Sequence, residues 1–248
     1  MSSTCDASPI LNEFDQPIGP PLPDWTPREW PPRTPIDGRL CRIEPLDVDR
    51  HGPALWRSFS MAPDTRDWTY MANAEPLTDE ARLRAYLERN AASTDALHHA
   101  IVDRVSNEAL GTFALMRIDC ANGVIEVGHV AYSPRLKQTT LATEAMYLLM
   151  RRVFDELGYR RFEWKCDSLN APSRAAALRY GFQYEGCFRQ AIVYKGRSRD
   201  TSWFSIIDRE WPAIKAGFEH WLAPENFDAE GRQRLSLRAL IESQRGGA

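Results

Sequence analysis

The segment from residue 170 to residue 190, NAPSRAAALRYGFQYEGCFRQ, contains the signals that decide the fold of this 248-residue chain. Asn170 precedes an alanine-rich run and is suited to capping a helix, and Pro172 fits the first helical turn. Gly181 can adopt the left-handed conformation that ends a helix. The segment therefore predicts a capped helix over 171–180 that leads directly into a strand beginning at 182.

Upstream and downstream of this segment, strand and helix patterns alternate. Turn sequences at 106–108 and 121–123 predict an antiparallel meander, and Gly158 predicts the end of a long amphipathic helix. The predicted strands are 38–44, 98–103, 110–118, 124–132, 162–166, 187–194 and 201–207, and the predicted helices are 47–60, 78–91 (opened by Thr78), 140–157, 208–222 and 233–243. These elements have the order of a mixed α/β domain with no internal repeat.

Three regions follow from the composition along the chain: an arm over 1–37, a regular domain over 38–210 and a helical extension over 211–248. The arm holds nine of the 17 prolines, interleaved with Trp25 and Trp30. Proline disfavours helices and central strands, so we expect an extended arm that lies across the domain or a neighbouring subunit, with a floppy linker as the alternative. The helix at 233–243 is expected to pack on a partner subunit, which predicts a homodimer.

The bulk properties exclude several function classes. A net charge of -3 gives no global field for nucleic acid, and scattered arginine pairs are usually solvated surface charges. No apolar run approaches the roughly 20 residues that a membrane span needs, and the N-terminus lacks a secretory signal, so we expect a cytoplasmic protein. Five widely spaced cysteines predict reduced structural thiols, and no pattern predicts a metal site.

The element order and the 170–190 segment together resemble the GNAT superfamily of N-acetyltransferases. Within it the segment is similar to the N-x-x-S…G-F-x-x-E-G pattern of the RimJ/RimL-like branch, the ribosomal-protein-alanine acetyltransferase-like enzymes. The resemblance covers about residues 38–210. It implies an α/β (α+β) GNAT fold, in which helices flank a central mixed, mostly antiparallel twisted sheet that is splayed between its fourth and fifth strands.

A second segment, SPRLKQTTLATEA over 133–145, corresponds to the GNAT turn (Q/R)-x-x-G-x-(G/A), whose backbone amides bind the pyrophosphate of coenzyme A at a helix N-terminus. Here Lys137 takes the Q/R position, Thr140 replaces the glycine, and Ala142 matches. Hydroxyl groups of Thr139 and Thr140 and the charge of Arg135 can compensate, whereas a plain threonine-capped helix is the structural alternative. The resemblance implies acetyl-CoA as co-substrate, no metal, and contacts from Val130, Tyr132, Lys137, Gln138, Thr139, Thr140, Leu141, Ala142, Asn170, Ser173 and Arg174.

The catalytic candidates are Glu126, His129 and Ser173. Acyl transfer to an ammonium needs a base, and a carboxylate or neutral imidazole on the strand at 124–132 can take the proton, whereas a solvated Glu126 and a packed His129 are the structural alternatives. By resemblance, Ser173 lies near the thioester sulfur and is a candidate proton donor. Related enzymes use a tyrosine as the general acid and a glutamate as the general base. The corresponding positions in this sequence hold Ala177 and Ile192.

The acceptor is expected to be a primary amine, on a protein N-terminus or a small molecule. Bulky side chains in the loop 64–76 and on the final hairpin predict its contacts, which are Trp68, Tyr70, Tyr194 and Trp203. The predicted function is therefore direct transfer of an acyl group from acetyl-CoA to that amine. The alternative is a GNAT-fold module that binds coenzyme A without catalysis.

Overall fold

Ten strands and six α-helices make up the part of the chain that the structure, a computed structural model, describes: residues 10–72 and 74–246. In chain order they are β1 (Ile10–Leu11), β2 (Pro17–Ile18), β3 (Ile36–Asp37), β4 (Cys41–Pro45), α1 (Val48–Phe59), α2 (Glu80–Ala91), β5 (Ala96–Asp103), β6 (Ala109–Asp119), β7 (Val124–Tyr132), α3 (Thr140–Arg151), β8 (Arg161–Asp167), α4 (Ala171–Arg179), β9 (Gln183–Tyr194), β10 (Arg197–Ile207), α5 (Trp211–Leu222) and α6 (Leu237–Arg245).

The predicted elements are present, and several of their ends differ from the prediction. The helix predicted from Thr78 starts later, because Asp79 is the N-cap and accepts a hydrogen bond from the Arg82 amide. The helix predicted to reach residue 157 is α-helical only to Arg151 and continues as a π-helical turn over Arg152–Glu156. The sheet also begins before the first predicted strand, because β3 pairs with β4. In the final hairpin, the strand predicted to begin at 182 and the strand predicted over 187–194 form one continuous strand, β9, and β10 begins at Arg197 rather than at residue 201.

Eight of the strands form one sheet in the order β3-β4-β5-β6-β7-β8-β10-β9. All neighbours are antiparallel except β7 and β8, which pair in parallel over only four residues each, Val124–Val127 against 161–164. Beyond Val127 the two strands separate. The predicted mixed, mostly antiparallel sheet with a splay between the fourth and fifth predicted strands is confirmed.

Two hydrophobic cores lie on the two faces of this sheet. On the first face α1 and α2 pack against β5 and β6, and Leu55, Leu87 and Ala100 are buried between them. On the second face α3, α4 and α5 cover a larger core that contains Phe162 and Phe204. The first face continues over β7, β8 and β10 with charged and polar side chains, and this part becomes the candidate site.

The second half of the proline-rich arm lies across the domain, as predicted. The indole of Trp25 donates to the Ala121 carbonyl at 3.0 Å, and the guanidinium of Arg28 lies 4.4 Å from the Trp25 ring centroid. Further on, Tyr159 donates its hydroxyl to the Glu29 carbonyl at 2.9 Å. The arm therefore closes the end of the sheet at the β6–β7 turn.

The C-terminal helix packs within its own chain. Leu237 and Ile241 of α6 are buried against α5, where Gly217 allows the two helices to approach closely. The expectation that this helix packs on a partner subunit is wrong, because its apolar face is already covered. It also begins at Leu237 rather than at residue 233, after a Ser236 cap.

Cys41, Cys120, Cys166 and Cys187 are free thiols, as predicted, and Cys5 lies outside the described residues. Over residues 10–72 and 74–246, no three or more His, Cys, Asp or Glu side chains are grouped so that they could hold a metal ion. No helix in the described part of the chain is long and apolar enough to cross a membrane.

Candidate functional site

A β-bulge in β7 creates the site. The pairing with β6 shifts between Ala114–Gly128 and Thr112–Ala131, and His129 takes a φ of 49° at this point. The extra residue places Gly128 and His129 on the same face as Glu126. The bulge also coincides with the end of the pairing between β7 and β8, so the strands open where these side chains project.

Glu126 is the central acid of this opening and is only 2% exposed. Its Oε1 accepts a hydrogen bond from Arg117 at 2.7 Å, and its Oε2 lies 2.9 Å from Nζ of Lys165. Burial raises the pKa of Glu126, and the charges of Lys165 and Arg117 offset part of that increase. The alternative that Glu126 is a solvated strand residue is wrong.

Lys165 links Glu126 to a ladder of charges on β8. Its Nζ lies 2.7 Å from Glu163 and 3.7 Å from the ring centroid of Trp203 on β10. Arg161 pairs with Glu163 at 2.7 Å. Sequence reasoning missed Lys165, although Glu163 and Lys165 alternate along the predicted strand 162–166 and so had to share one face.

His129 stacks on His98 of β5, with ring centroids 5.2 Å apart. Burial lowers the pKa of His129, and it lowers the pKa of His98 to about 3 with help from the neighbouring imidazoles. Both rings are therefore neutral at physiological pH, and His129 has the protonation state that a general base needs.

The predicted phosphate turn precedes α3. The Thr139 hydroxyl donates to the Leu136 carbonyl at 2.7 Å and accepts from the Ala142 amide at 3.1 Å, which makes Thr139 the N-cap. Gln138 takes a φ of 60°. The amides of Thr140 and Leu141 belong to the first helical turn and donate to no other atom of the described residues.

Two ion pairs hold the basic residues of this turn. Lys137 lies 2.5 Å from Asp67 of the loop 64–76, and Arg135 lies 2.5 Å from Glu108. The two positive charges that the sequence predicted to bind phosphate are therefore paired with carboxylates in this structure.

The start of α4 faces the opening from the second side of the sheet. Asn170 accepts from the Ser173 amide at 3.1 Å and caps the helix, as predicted. The Ser173 Oγ accepts from the indole of Trp164 at 3.0 Å, and its hydroxyl also bonds to Cys166, where it lowers a thiol pKa that burial raises. Arg174 is exposed and donates to the Ser168 carbonyl at 3.4 Å.

Val130 and Tyr132 of β7 point toward the second face, where both pack against the larger core. The Tyr132 hydroxyl is buried and has no hydrogen-bond partner among the described residues. Burial raises the pKa of Tyr132 well above its ordinary value. Tyr180, predicted to pack in the core, is buried in it.

The predicted acceptor contacts separate into three places. Tyr70 donates to the Leu169 carbonyl at 3.3 Å and Tyr194 donates to Asp167 at 2.8 Å, so both border the end of β8 beside the opening. Trp203 lies on the first face over Lys165. Trp68 is 6% exposed and packs edge-on against Phe59 and Tyr86, so its side chain holds the loop 64–76 to the smaller core.

This arrangement is that of a known family. The acetyltransferase (GNAT) domain family matches residues 42–183, more than half of the chain. The chain belongs to the GNAT family. A GCN5-related N-acetyltransferase from Brucella melitensis is 45% identical in sequence, and the superposition has a TM-score of 0.86 and covers 89% of this chain and all of that one.

Two curated relatives agree with this family. An uncharacterized N-acetyltransferase, p20, from Bacillus licheniformis is 30% identical over 58% of this chain and 82% of its own length. The ribosomal-protein-serine acetyltransferase of Escherichia coli is 30% identical over 42% of this chain and 58% of its own length, in agreement with the predicted RimJ/RimL-like resemblance. This GNAT chain is an N-acetyltransferase, and its family transfers the acetyl group of acetyl-CoA to an amine.

The residues of this GNAT chain fit acetyl-CoA. Two free amides at the start of α3 are suited to an anion, and the separated ends of β7 and β8 leave backbone groups unpaired for an amide-containing arm. The buried Tyr132 hydroxyl without a partner adds a polar group that a ligand can satisfy.

Proposed function

We propose that this GNAT enzyme acetylates the α-amine of a protein or peptide N-terminus bound on the first face of β7, β8 and β10. The observation that carries the proposal is the position of Glu126: a buried carboxylate with raised pKa beside the splay, on a face that carries Trp203. The face is bordered by the loop 64–76 and the β9–β10 hairpin, which Lys195 joins by donating to the Trp68 carbonyl at 2.7 Å. The name of the E. coli relative agrees with a protein acceptor.

Acetyl-CoA supplies the acetyl thioester when bound. The amides of Thr140 and Leu141 would hold its phosphates, with Gln138, Thr139 and Ala142 shaping the turn and Lys137 adding charge. The start of α4 would contact acetyl-CoA through Asn170, Ser173 and Arg174. Strand β7 would contact it through the backbone of Val130 and Tyr132. The matching glycine of relatives is absent, so these two amides and Lys137 carry more of the binding here.

Glu126 is the general base in this proposal. Its raised pKa brings it closer to that of the amine, which improves proton transfer near neutral pH. Lys165 and Arg117 beside it disfavour the ammonium form of a bound acceptor, because like charges repel. His129 is the second candidate, since it is neutral and lies on the same face.

Ser173 is the proton donor in this proposal. Its Oγ accepts a hydrogen bond from Trp164, which holds the hydroxyl in place, and its hydrogen would turn from Cys166 to the leaving thiolate. The hydroxyl lies at the start of α4, on the opposite face from Glu126. Base and acid would therefore act from the two sides of the opening between β7 and β8.

The acceptor would enter between the loop 64–76 and the β9–β10 hairpin. Tyr70 and Tyr194 border that entrance, and Trp203 offers an aromatic surface for the first side chains. The contact predicted for Trp68 stays a prediction, and this side chain reaches an acceptor only if the loop 64–76 moves.

The test is thiol release from acetyl-CoA over a panel of N-terminal tetrapeptides, their N-formylated counterparts and small amines such as polyamines. The proposal expects turnover with free N-termini and none with the formylated controls. Turnover with small amines alone would move the acceptor class to small molecules. Thermal stabilisation by coenzyme A without turnover on any amine would favour the alternative, a binding module without catalysis.

A further inference from the structure

Residues 10–24 of the N-terminal arm have an apolar surface that no other described part of the chain covers. β1 pairs with β2 through a turn in which the Asn12 side chain accepts from the amides of Phe14 and Gln16. Five apolar side chains of this segment, residues 10–24, are exposed: Ile10, Leu11, Phe14, Ile18 and Leu22. An isolated two-stranded hairpin is marginal in water, so this segment needs a surface to pack against.

A matching surface lies on the β9–β10 hairpin. β9 is the edge strand of the sheet, and Phe188 and Val193 on it are 55% and 80% exposed. A bulge at Gln190, whose φ is 50°, leaves a shallow, open cleft on the hairpin surface, lined by Phe188, Arg189 and Asp200.

The two surfaces have opposite charges. Residues 10–24 contain Glu13, Asp15 and Asp24 and no lysine or arginine. Residues 186–200 contain four basic residues and only one acid. None of the three arm acids, and neither Arg189 nor Arg197 of the hairpin, forms a salt bridge within the described residues.

In one chain, the anchor of the arm and the tip of the hairpin lie at opposite ends of β8. The arm leaves the domain at Trp25, which is bonded to the β6–β7 turn at the end of the sheet where β8 begins. The tip of the β9–β10 hairpin lies past the other end of β8, where Thr201 pairs with Asp167. The folding of residues 10–18 into a hairpin shortens the reach of the segment further.

We propose that the occupant of the cleft is a second copy of this chain. The arm residues 10–24 of one protomer dock on the β9–β10 hairpin, residues 186–200, of the other, and a twofold axis repeats the contact. Phe14 enters the cleft beside Phe188, and the arm acids face Arg189 and Arg197. This contact is distinct from the tail helix, whose apolar face is covered by its own chain.

The contact borders the acceptor site. Phe188 stacks on Trp203 with ring centroids 4.4 Å apart, and Trp203 lies over Lys165. The arm of one protomer thus forms part of the wall along which an acceptor enters the other protomer.

The experiment is multi-angle light scattering on the full chain from about 1 to 100 µM, in low and moderate salt. The expected mass is twice the 28.3 kDa of one chain at the upper concentrations, with a dissociation constant that rises with salt. Phe14→Ser should weaken the dimer at least tenfold. Val105→Ser, at a 95% exposed apolar residue of the β5–β6 turn, is the matched control and should leave the mass unchanged.

A charge-reversal pair tests the register of the contact. Glu13→Lys and Arg189→Glu should each weaken the dimer, and combining them in one chain should restore it at least in part. A chain that stays at 28.3 kDa at 100 µM overturns the proposal, as does a dimer that Phe14→Ser and both reversals leave intact. The mass is measured without acetyl-CoA or acceptor, so failure here is separate from failure of the proposed acetylation.

Discussion

The ammonium of Lys165 lies 2.9 Å from Oε2 of Glu126, and it lies 2.7 Å from Glu163 on its own strand. These three groups are nearly inaccessible to solvent, so their interaction is screened less than that of a surface pair. The lysine is therefore the main charge that keeps a buried carboxylate ionised next to the splay.

Replacing Lys165 with methionine should shift the acidic limb of the pH–rate profile to higher pH. The pKa of Glu126 is already raised by burial, and Lys165 is the largest of the charges that lower it. Without the ammonium the carboxylate stays protonated to a higher pH, and a protonated base cannot accept the proton. An unchanged limb in the profile of kcat/KM for the amine would exclude Glu126 as the titrating base.

The same substitution should also cost stability. Removing one partner from a buried ion pair leaves uncompensated charge, at about 3–5 kcal/mol. Here Arg117 and Arg161 still pair with the two carboxylates, so we expect the lower end of that range. Urea unfolding at pH 7 measures it, and Lys165→Arg, which keeps the charge, should lose less.

Glu126→Gln should reduce kcat by roughly a hundredfold or more, because general base catalysis contributes typically 10²–10⁴-fold. The KM for acetyl-CoA should change little, since the predicted cofactor contacts lie on other residues. Glu163→Gln removes a carboxylate from the same ladder, one strand away, and is the matched control. Equal losses in the two variants would mean that the charge ladder, rather than Glu126, is what catalysis requires.

Two substitutions of Asn170 distinguish its role in capping α4 from a role in binding the cofactor. Asn170→Ala removes the bond to the Ser173 amide and should destabilise the protein by about 1 kcal/mol. Asn170→Ser caps a helix as well as asparagine does but has no amide, so it should keep the melting temperature and still raise the KM for acetyl-CoA. If the serine variant has the KM of the parent, Asn170 is a cap and nothing more.

Acid should destabilise the protein through His99. Burial lowers its pKa to about 4, whereas in the unfolded chain it titrates near 6.5. The unfolded state therefore binds the extra proton between those values, and stability falls as pH drops through this window, by up to about 1.4 kcal/mol per pH unit for each such histidine.

His99→Leu should reduce the slope of unfolding free energy against pH between about 6.5 and 4. The exposed His220 is the control, because its replacement by leucine should leave the slope as it is. A slope unchanged in His99→Leu would show that His99 is protonated in the folded protein within this range.

The approach of α5 and α6 depends on a glycine. A Cβ at Gly217 would lie 2.6 Å from Cγ1 and 2.9 Å from the Cα of Ile241. Gly217→Ala should therefore destabilise the protein by about 1–3 kcal/mol, even though alanine favours a helix. In α1 the nearest atom to a Cβ at Gly52 is 3.8 Å away, so Gly52→Ala should stabilise instead. Thermal melts of the two variants compare them directly.

The sequence by itself determined the elements whose signals are local. Helix caps at Asn170 and Thr139, the glycine that ends α4 and the alternation along β5 to β7 act over a few residues, and the family pattern at 170–190 identified the fold. Local hydrogen bonds and side-chain periodicity fix such features before any packing.

Only the tertiary structure decided which charges meet. Lys165 reaches Glu126 across a parallel pair that ends after four residues, and Trp68 enters the smaller core although its loop suggested a binding wall. The tertiary structure also decided the partner of α6, whose apolar face packs against α5 at Gly217 of its own chain. These outcomes depend on strand register and on contacts between residues distant in sequence, which side-chain periodicity does not contain.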